Sequence, residues 1–127
     1  GSLSIEALPE AWSEKYEAYL GIRPQNDAEG VLQDIHWAAG YVGYFPSYFI
    51  ANITAAQLAA AMNEQLGDMH TLMADGAFDT WLSQRIYRYG SLYSSRELIE
   101  NACGRPLSSD DYMDYLRNKF SEVYRLH

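Results

Sequence analysis

The sequence predicts an all-α protein, and three observations carry that expectation. Large apolar side chains recur at helical spacing along most of the chain. Helix starts and stops alternate at distances of two to five turns. No stretch shows the strict two-residue alternation of a half-buried strand, and no internal repeat or low-complexity tract is present. Gly1-Ser2 reads as a cloning remnant, which leaves residues 3–127 as one helical domain.

Each element has its own warrant. Trp12, Tyr16, Tyr19 and Leu20 share helical spacing over 8–20, and Gly21 stands where a left-handed residue ends a helix. Arg23-Pro24 must be extended, because the residue before proline avoids the helical region. Asn26 and Glu29 have the spacing of a capping box, which predicts a helix through 30–39. At about 100° per residue, Ala28, Val31, Leu32, Ile35, Ala38 and Ala39 would form its apolar face. Glu29, Gly30, Gln33, His36 and Trp37 would form the other. Gly40, Gly43 and Pro46 then break the pattern, leaving room for a short hairpin at 41–44.

A long helix is expected over 47–66, where alanines at 55, 56, 59, 60 and 61 permit close approach by neighbours. Gly67-Asp68 and Asp75-Gly76 bracket a short helix containing His70, which reads as a surface histidine. Phe78, Trp81, Leu82, Ile86 and Tyr89 form one core stripe. Ser94 and Glu97 make a second capping box, for a helix stopped by Gly104 with Pro106 beyond. Ser108-x-x-Asp111 opens the last helix. There Tyr112, Tyr115, Leu116, Phe120 and Val123 share one face, and Asp114, Arg117, Ser121 and Arg125 share the other.

Composition narrows function. A chain of 127 residues is one domain's worth, enough to bury roughly two-thirds of its unfolded surface. A net charge of -8 argues against nucleic acid as a partner, since phosphates call for a basic face. The single cysteine, Cys103, has no intramolecular partner and suits a cytoplasmic protein, as a small buried apolar residue. The uncharged run from Trp37 to Asn63 is long enough to span a membrane by count alone. It contains Pro46, Asn52, Gln57 and many alanines, so a helix buried among other helices is expected instead.

The most informative segment holds a histidine, a tryptophan and three tyrosines (Tyr41, Tyr44, Tyr48) within thirteen residues of one another. His36 lies off the expected apolar stripe and within i,i+3 reach of Gln33. A histidine so placed points into a cleft and is held by a neighbour.

The run Gly30-Val31-Leu32-Gln33-Asp34-Ile35-His36-Trp37 resembles the Gly-x-x-Gln-Asp-x-His-Trp motif of the carboxypeptidase Taq family, the thermostable metallocarboxypeptidases. Every fixed position of that motif is present. Ile22-Arg23-Pro24-Gln25-Asn26-Asp27 is similar to the family's Ile-Arg-x-x-Ala-Asp, with Asn26 in place of the alanine. Gly43-Tyr44-Phe45-Pro46-Ser47-Tyr48 is similar to Gly-Tyr-Phe-Pro-Thr-Tyr. A looser resemblance extends from Leu8 to Leu126.

The resemblance implies the helical C-terminal portion of a zincin-like metallopeptidase that releases C-terminal residues from peptides through zinc- or cobalt-activated water. A hydrolytic zinc needs two imidazoles one helical turn apart, a third ligand and an open position. The three histidines here, His36, His70 and His127, include no His-Glu-x-x-His pair. Asp34 and His36 would project about 200° apart on a helix, so they are no substitute. The metal ligands are therefore expected upstream, and the isolated chain is expected to carry no metal and no activity.

Roles for this chain's residues follow from the same resemblance. Arg23 would bind the substrate's free carboxylate, a task suited to a guanidinium fork; a surface ion pair with Asp27 is the alternative. His36 and Tyr48 would donate to the oxyanion. Tyr44 would contact the substrate, and the two tyrosine roles are interchangeable. Gln33 would support His36, and Asp34 would orient a metal-binding histidine or else face solvent or cap a turn. The parent would be a cytoplasmic homodimer acting on peptides, without nucleic-acid or membrane partners. A free-standing helical interaction module without catalysis is the competing reading.

Overall fold

In the computed structural model, residues 3–126 are described, Met69 and His70 through their backbone only. Gly1-Ser2 and the side chain of His70, each the subject of an expectation above, lie outside the described residues. All regular structure among the described residues is helical. The chain divides into two compact units, Gly1–Pro46 and Ser47–His127.

The first unit opens with α1, Leu8–Leu20. Proline in its first turn loses nothing, because that N–H would have no intrahelical partner. Gly21 ends it in the left-handed region at φ 70°, its N–H donating to the Glu17 carbonyl at 2.9 Å. Asn26 and Glu29 make half of the expected capping box: the Glu29 N–H donates to Asn26 Oδ1 at 3.1 Å, but the Glu29 carboxylate accepts the Asn26 side-chain amide at 3.4 Å and the Gln25 backbone N–H at 3.3 Å in place of the Asn26 backbone N–H.

The α-helix predicted through 30–39 does not follow. Two 3-10 turns, Val31–Gln33 and Trp37–Ala39, stand there instead, separated by a non-helical Asp34 at φ -79°, ψ 87°. The reason lies in side chains that capture backbone groups locally and compete with helix continuation. The Gln33 carboxamide donates to the Ala28 carbonyl, and the Asp34 carboxylate accepts the His36 N–H. The two expected faces consequently scramble. Leu32 and Ile35 are 62% and 74% exposed, while Asp34 is 5% exposed and Val31 is buried. The Val31–Gln33 turn packs on α1, and Trp12 meets Trp37 edge to face at 6.4 Å between ring centres. At 41–44 the chain makes a turn, closed by the Tyr44 N–H on the Tyr41 carbonyl at 3.2 Å, in place of a hairpin.

The second unit is built on α2, Pro46–Leu66, with α3, Met69–Asp75, and α4, Ala77–Arg85. It continues through α5, Ser95–Cys103, and α6, Asp110–Tyr124. Among the described residues no helix is long and apolar enough to cross a membrane. The core comprises Ala61, Met62, Leu72, Trp81, Ile99, Ala102 and Cys103, flanked by Leu58, Ala77, Phe78, Leu82 and Ile86. The predicted 78–89 stripe is therefore core up to Ile86. Tyr89 sits beyond the end of α4 in a 3-10 turn, its ring 5.3 Å from that of Tyr93. Ser94 and Glu97 close their capping box in full, and Gly104 ends α5 at φ 74°. At α6 the expected Ser108–Asp111 pairing is redirected. Ser108 Oγ accepts the Asp110 N–H, while Asp111 is taken by Arg105 in a two-pronged ion pair of 2.6 and 2.9 Å. On the apolar side of α6, Tyr112 meets Phe49 of α2 at 5.7 Å.

Cys103 is buried, with Sγ 4.0 Å from the Gln57 carbonyl, and burial raises its thiol pKa above the ordinary value. Reactive thiolate is therefore scarcer in the fold than in the unfolded chain at a given pH. Alkylation by iodoacetamide is expected to run roughly two orders of magnitude slower in buffer than in denaturant. Equal rates measured by mass spectrometry would count against the packing described.

Candidate functional site

Four of the six residues singled out by sequence, Gln33, Asp34, His36 and Tyr44, lie on the irregular segment of the first unit. Asp34 and His36 are in direct contact. The carboxylate, with its side chain 3% exposed, places Oδ1 2.7 Å from His36 Nδ1 and 3.1 Å from the His36 backbone nitrogen. The 200° separation expected on a helix is thus overturned. The ψ of 87° at Asp34 folds the next two residues back over its carboxylate. The imidazole lies 5.2 Å from the Tyr44 ring and 5.9 Å from the Phe45 ring, with Tyr41 5.9 Å beyond Tyr44. An imidazole held by a buried carboxylate among aromatic rings can carry or donate a proton.

Gln33 takes a different place from the one expected. Its carboxamide is spent on the Ala28 carbonyl, so it shapes the turn, and Asp34 is the neighbour that holds His36.

Arg23 pairs with neither Asp27 nor solvent alone. Nη2 donates to Glu10 Oε1 at 2.6 Å and Nη1 to Glu17 Oε2 at 3.0 Å, both acids on α1. The hydrogen bond to Glu10, then that to Glu17, raises the guanidinium pKa, so the charge is secure. The sequence does hold this signal. Residues seven apart differ by about 20° on a helix, which puts Glu10 and Glu17 on one face. Two carboxylates already sit in the fork, and that is the anion such a group would exchange for a substrate carboxylate.

Tyr48 belongs to the second unit, in the first turn of α2, and its ring is exposed. Among the described residues no three His, Cys, Asp or Glu side chains converge to hold a metal ion.

Comparison with known proteins adds the family context. Residues 1–120 match the family model described as carboxypeptidase Taq (M32) metallopeptidase. "Carboxypeptidase 1" of Bacillus subtilis (strain 168) is 43% identical over 98% of this chain, and "Thermostable carboxypeptidase 1" of Thermus thermophilus is 40% identical over the same share. In each case the chain spans 25% of the relative's length. The crystal structure of an M32 carboxypeptidase from Deinococcus radiodurans R1 superposes with a TM-score of 0.86 at 36% identity. That match covers 98% of this chain and 26% of the other.

Proposed function

The chain belongs to the carboxypeptidase Taq (M32) metallopeptidase family, and from that premise we propose that it is the C-terminal portion of a metal-dependent carboxypeptidase. The family match over 1–120, in a chain that spans 25% of its relatives' length, supports a portion of such an enzyme; its place at the C-terminal end rests on the resemblance of the Gly30–Trp37 and Gly43–Tyr48 motifs. The parent would remove C-terminal residues from peptides in the cytoplasm as a homodimer, with zinc or cobalt as its metal. The described residues do not fit that metal, since no ligand trio converges among them; its ligands and the catalytic base belong to the remainder of the parent.

This chain's own contribution is recognition and charge stabilisation. Arg23 receives the terminal carboxylate in exchange for its contacts to Glu10 and Glu17. His36 and Tyr48 donate to the oxygen that becomes negative in the tetrahedral intermediate. Tyr44, its ring tilted against that of His36, contacts the substrate. On this reading the isolated chain does not turn over substrate.

The test uses the parent enzyme. Arg23→Ala removes a charged hydrogen bond present in both substrate and transition state, a contact of about 1.5–3 kcal/mol. KM for free-acid peptides is therefore expected to rise roughly 10- to 100-fold, with kcat and metal content near wild type. Discrimination against C-terminally amidated peptides is expected to weaken in parallel. An unchanged preference for the free carboxylate in this variant would remove Arg23 from the site.

A further inference from the structure

We propose that Asp34 is the positioning residue of His36: its buried carboxylate fixes a proton on Nδ1 and so determines what the opposite ring nitrogen can do. The inference starts from a contact of 2.7 Å between Asp34 Oδ1 and His36 Nδ1. At that distance one of the two atoms must donate. The same Oδ1 also accepts the His36 backbone N–H at 3.1 Å. An oxygen on which an amide already converges is acting as an acceptor, and an ionised carboxylate has no proton to give. The shared proton therefore sits on Nδ1.

Three features make this a built arrangement. Asp34 is 5% exposed, so water competes weakly for its oxygens. The backbone N–H of His36 holds the same oxygen that meets the ring. The ring itself is flanked by Tyr44 and Phe45 at 5.2 and 5.9 Å, which limits its rotation.

The consequence is chemical. With its proton on Nδ1, a neutral His36 has Nε2 as a proton acceptor. Nε2 becomes a donor only when the ring takes a second proton, and the resulting positive charge is then compensated by Asp34. The step rests on the reading of His36 as a donor to the oxyanion, and it specifies the imidazolium, not the neutral ring, as the donating form. The same carboxylate that would have served a metal-bound histidine serves His36.

The experiment reads the tautomer on this chain by 15N NMR of labelled imidazoles, with His36→Gln identifying the His36 signals by their loss. In the neutral ring, Nδ1 is expected at the protonated-nitrogen position and Nε2 at the unprotonated one. Asp34→Ala, checked for its helical circular dichroism, is expected to shift the proton to Nε2. Protonated Nε2 in the wild-type neutral ring overturns the proposal, as does a folded Asp34→Ala chain that keeps the Nδ1 proton. If Asp34→Ala fails to fold, the wild-type spectrum decides alone. None of these outcomes depends on peptidase activity, so a failure here is separable from failure of the proposed function, which the Arg23 kinetics address.

Discussion

Replacing Gln57 by leucine is expected to lower the unfolding free energy by about 2–3 kcal/mol, although leucine is of similar size and apolar. Gln57 is the one large side chain among the described residues with no exposed surface worth measuring, at 0%. Nε2 donates to the Arg105 and Pro106 carbonyls at 3.3 and 3.0 Å, and Oε1 accepts the Ser108 N–H at 2.9 Å. These contacts bind α2 to the link between α5 and α6. Leucine fills the space and leaves one amide and two carbonyls without those partners. Each such group costs about 1–3 kcal/mol when burial is complete; the link is partly open to water, which limits the sum. The urea midpoint should fall with an unchanged slope, because the surface exposed on unfolding is the same. A midpoint within error of wild type would show that water replaces the glutamine's contacts at little cost.

Gln57 also illustrates what could not be read from the sequence. A glutamine inside an alanine-rich helix looks like a solvated position, and its partners stand 48 to 51 residues away. Signals confined to a few neighbours fared better. The ends of α1 and α5 follow from Gly21, from the Ser94–Glu97 pair and from Gly104, each of which acts within one turn. The core stripe at Phe78, Trp81, Leu82 and Ile86 follows from helical spacing.

The segment through 30–39 is the instructive failure. Its apolar spacing is helical, yet Gln33 and Asp34 offer the backbone side-chain partners that a helix would have to outbid. An irregular backbone is what joins Asp34 to His36; a regular helix would have kept them on opposite sides. The candidate residues were thus legible as residue types, and the pairing among them was not. Arg23 stands between the two cases: the seven-residue spacing puts Glu10 and Glu17 on one face of α1, but the bend that returns Arg23 to that face is not written in the spacing.

In the parent enzyme, His36→Ala is expected to lower kcat by about 10²–10³-fold, the usual scale for removing one oxyanion donor. KM should change much less, since the donated charge is needed mainly in the transition state. Tyr48→Phe removes a hydroxyl and little else, so it should show the same split between kcat and KM on the same scale. The two effects need not add if both donors act on one oxygen. Asp34→Asn keeps the shape beside His36 while deleting the charge that compensates the imidazolium, and its loss in kcat should fall between wild type and His36→Ala. Metal content should stay at wild-type level throughout, because none of these residues is proposed as a ligand. Steady-state kinetics with metal analysis on each purified variant decide the matter. Loss of the metal in His36→Ala would make that residue a ligand and exclude it as an oxyanion donor, and a kcat unchanged in both His36→Ala and Tyr48→Phe would remove the oxyanion role from this part of the chain.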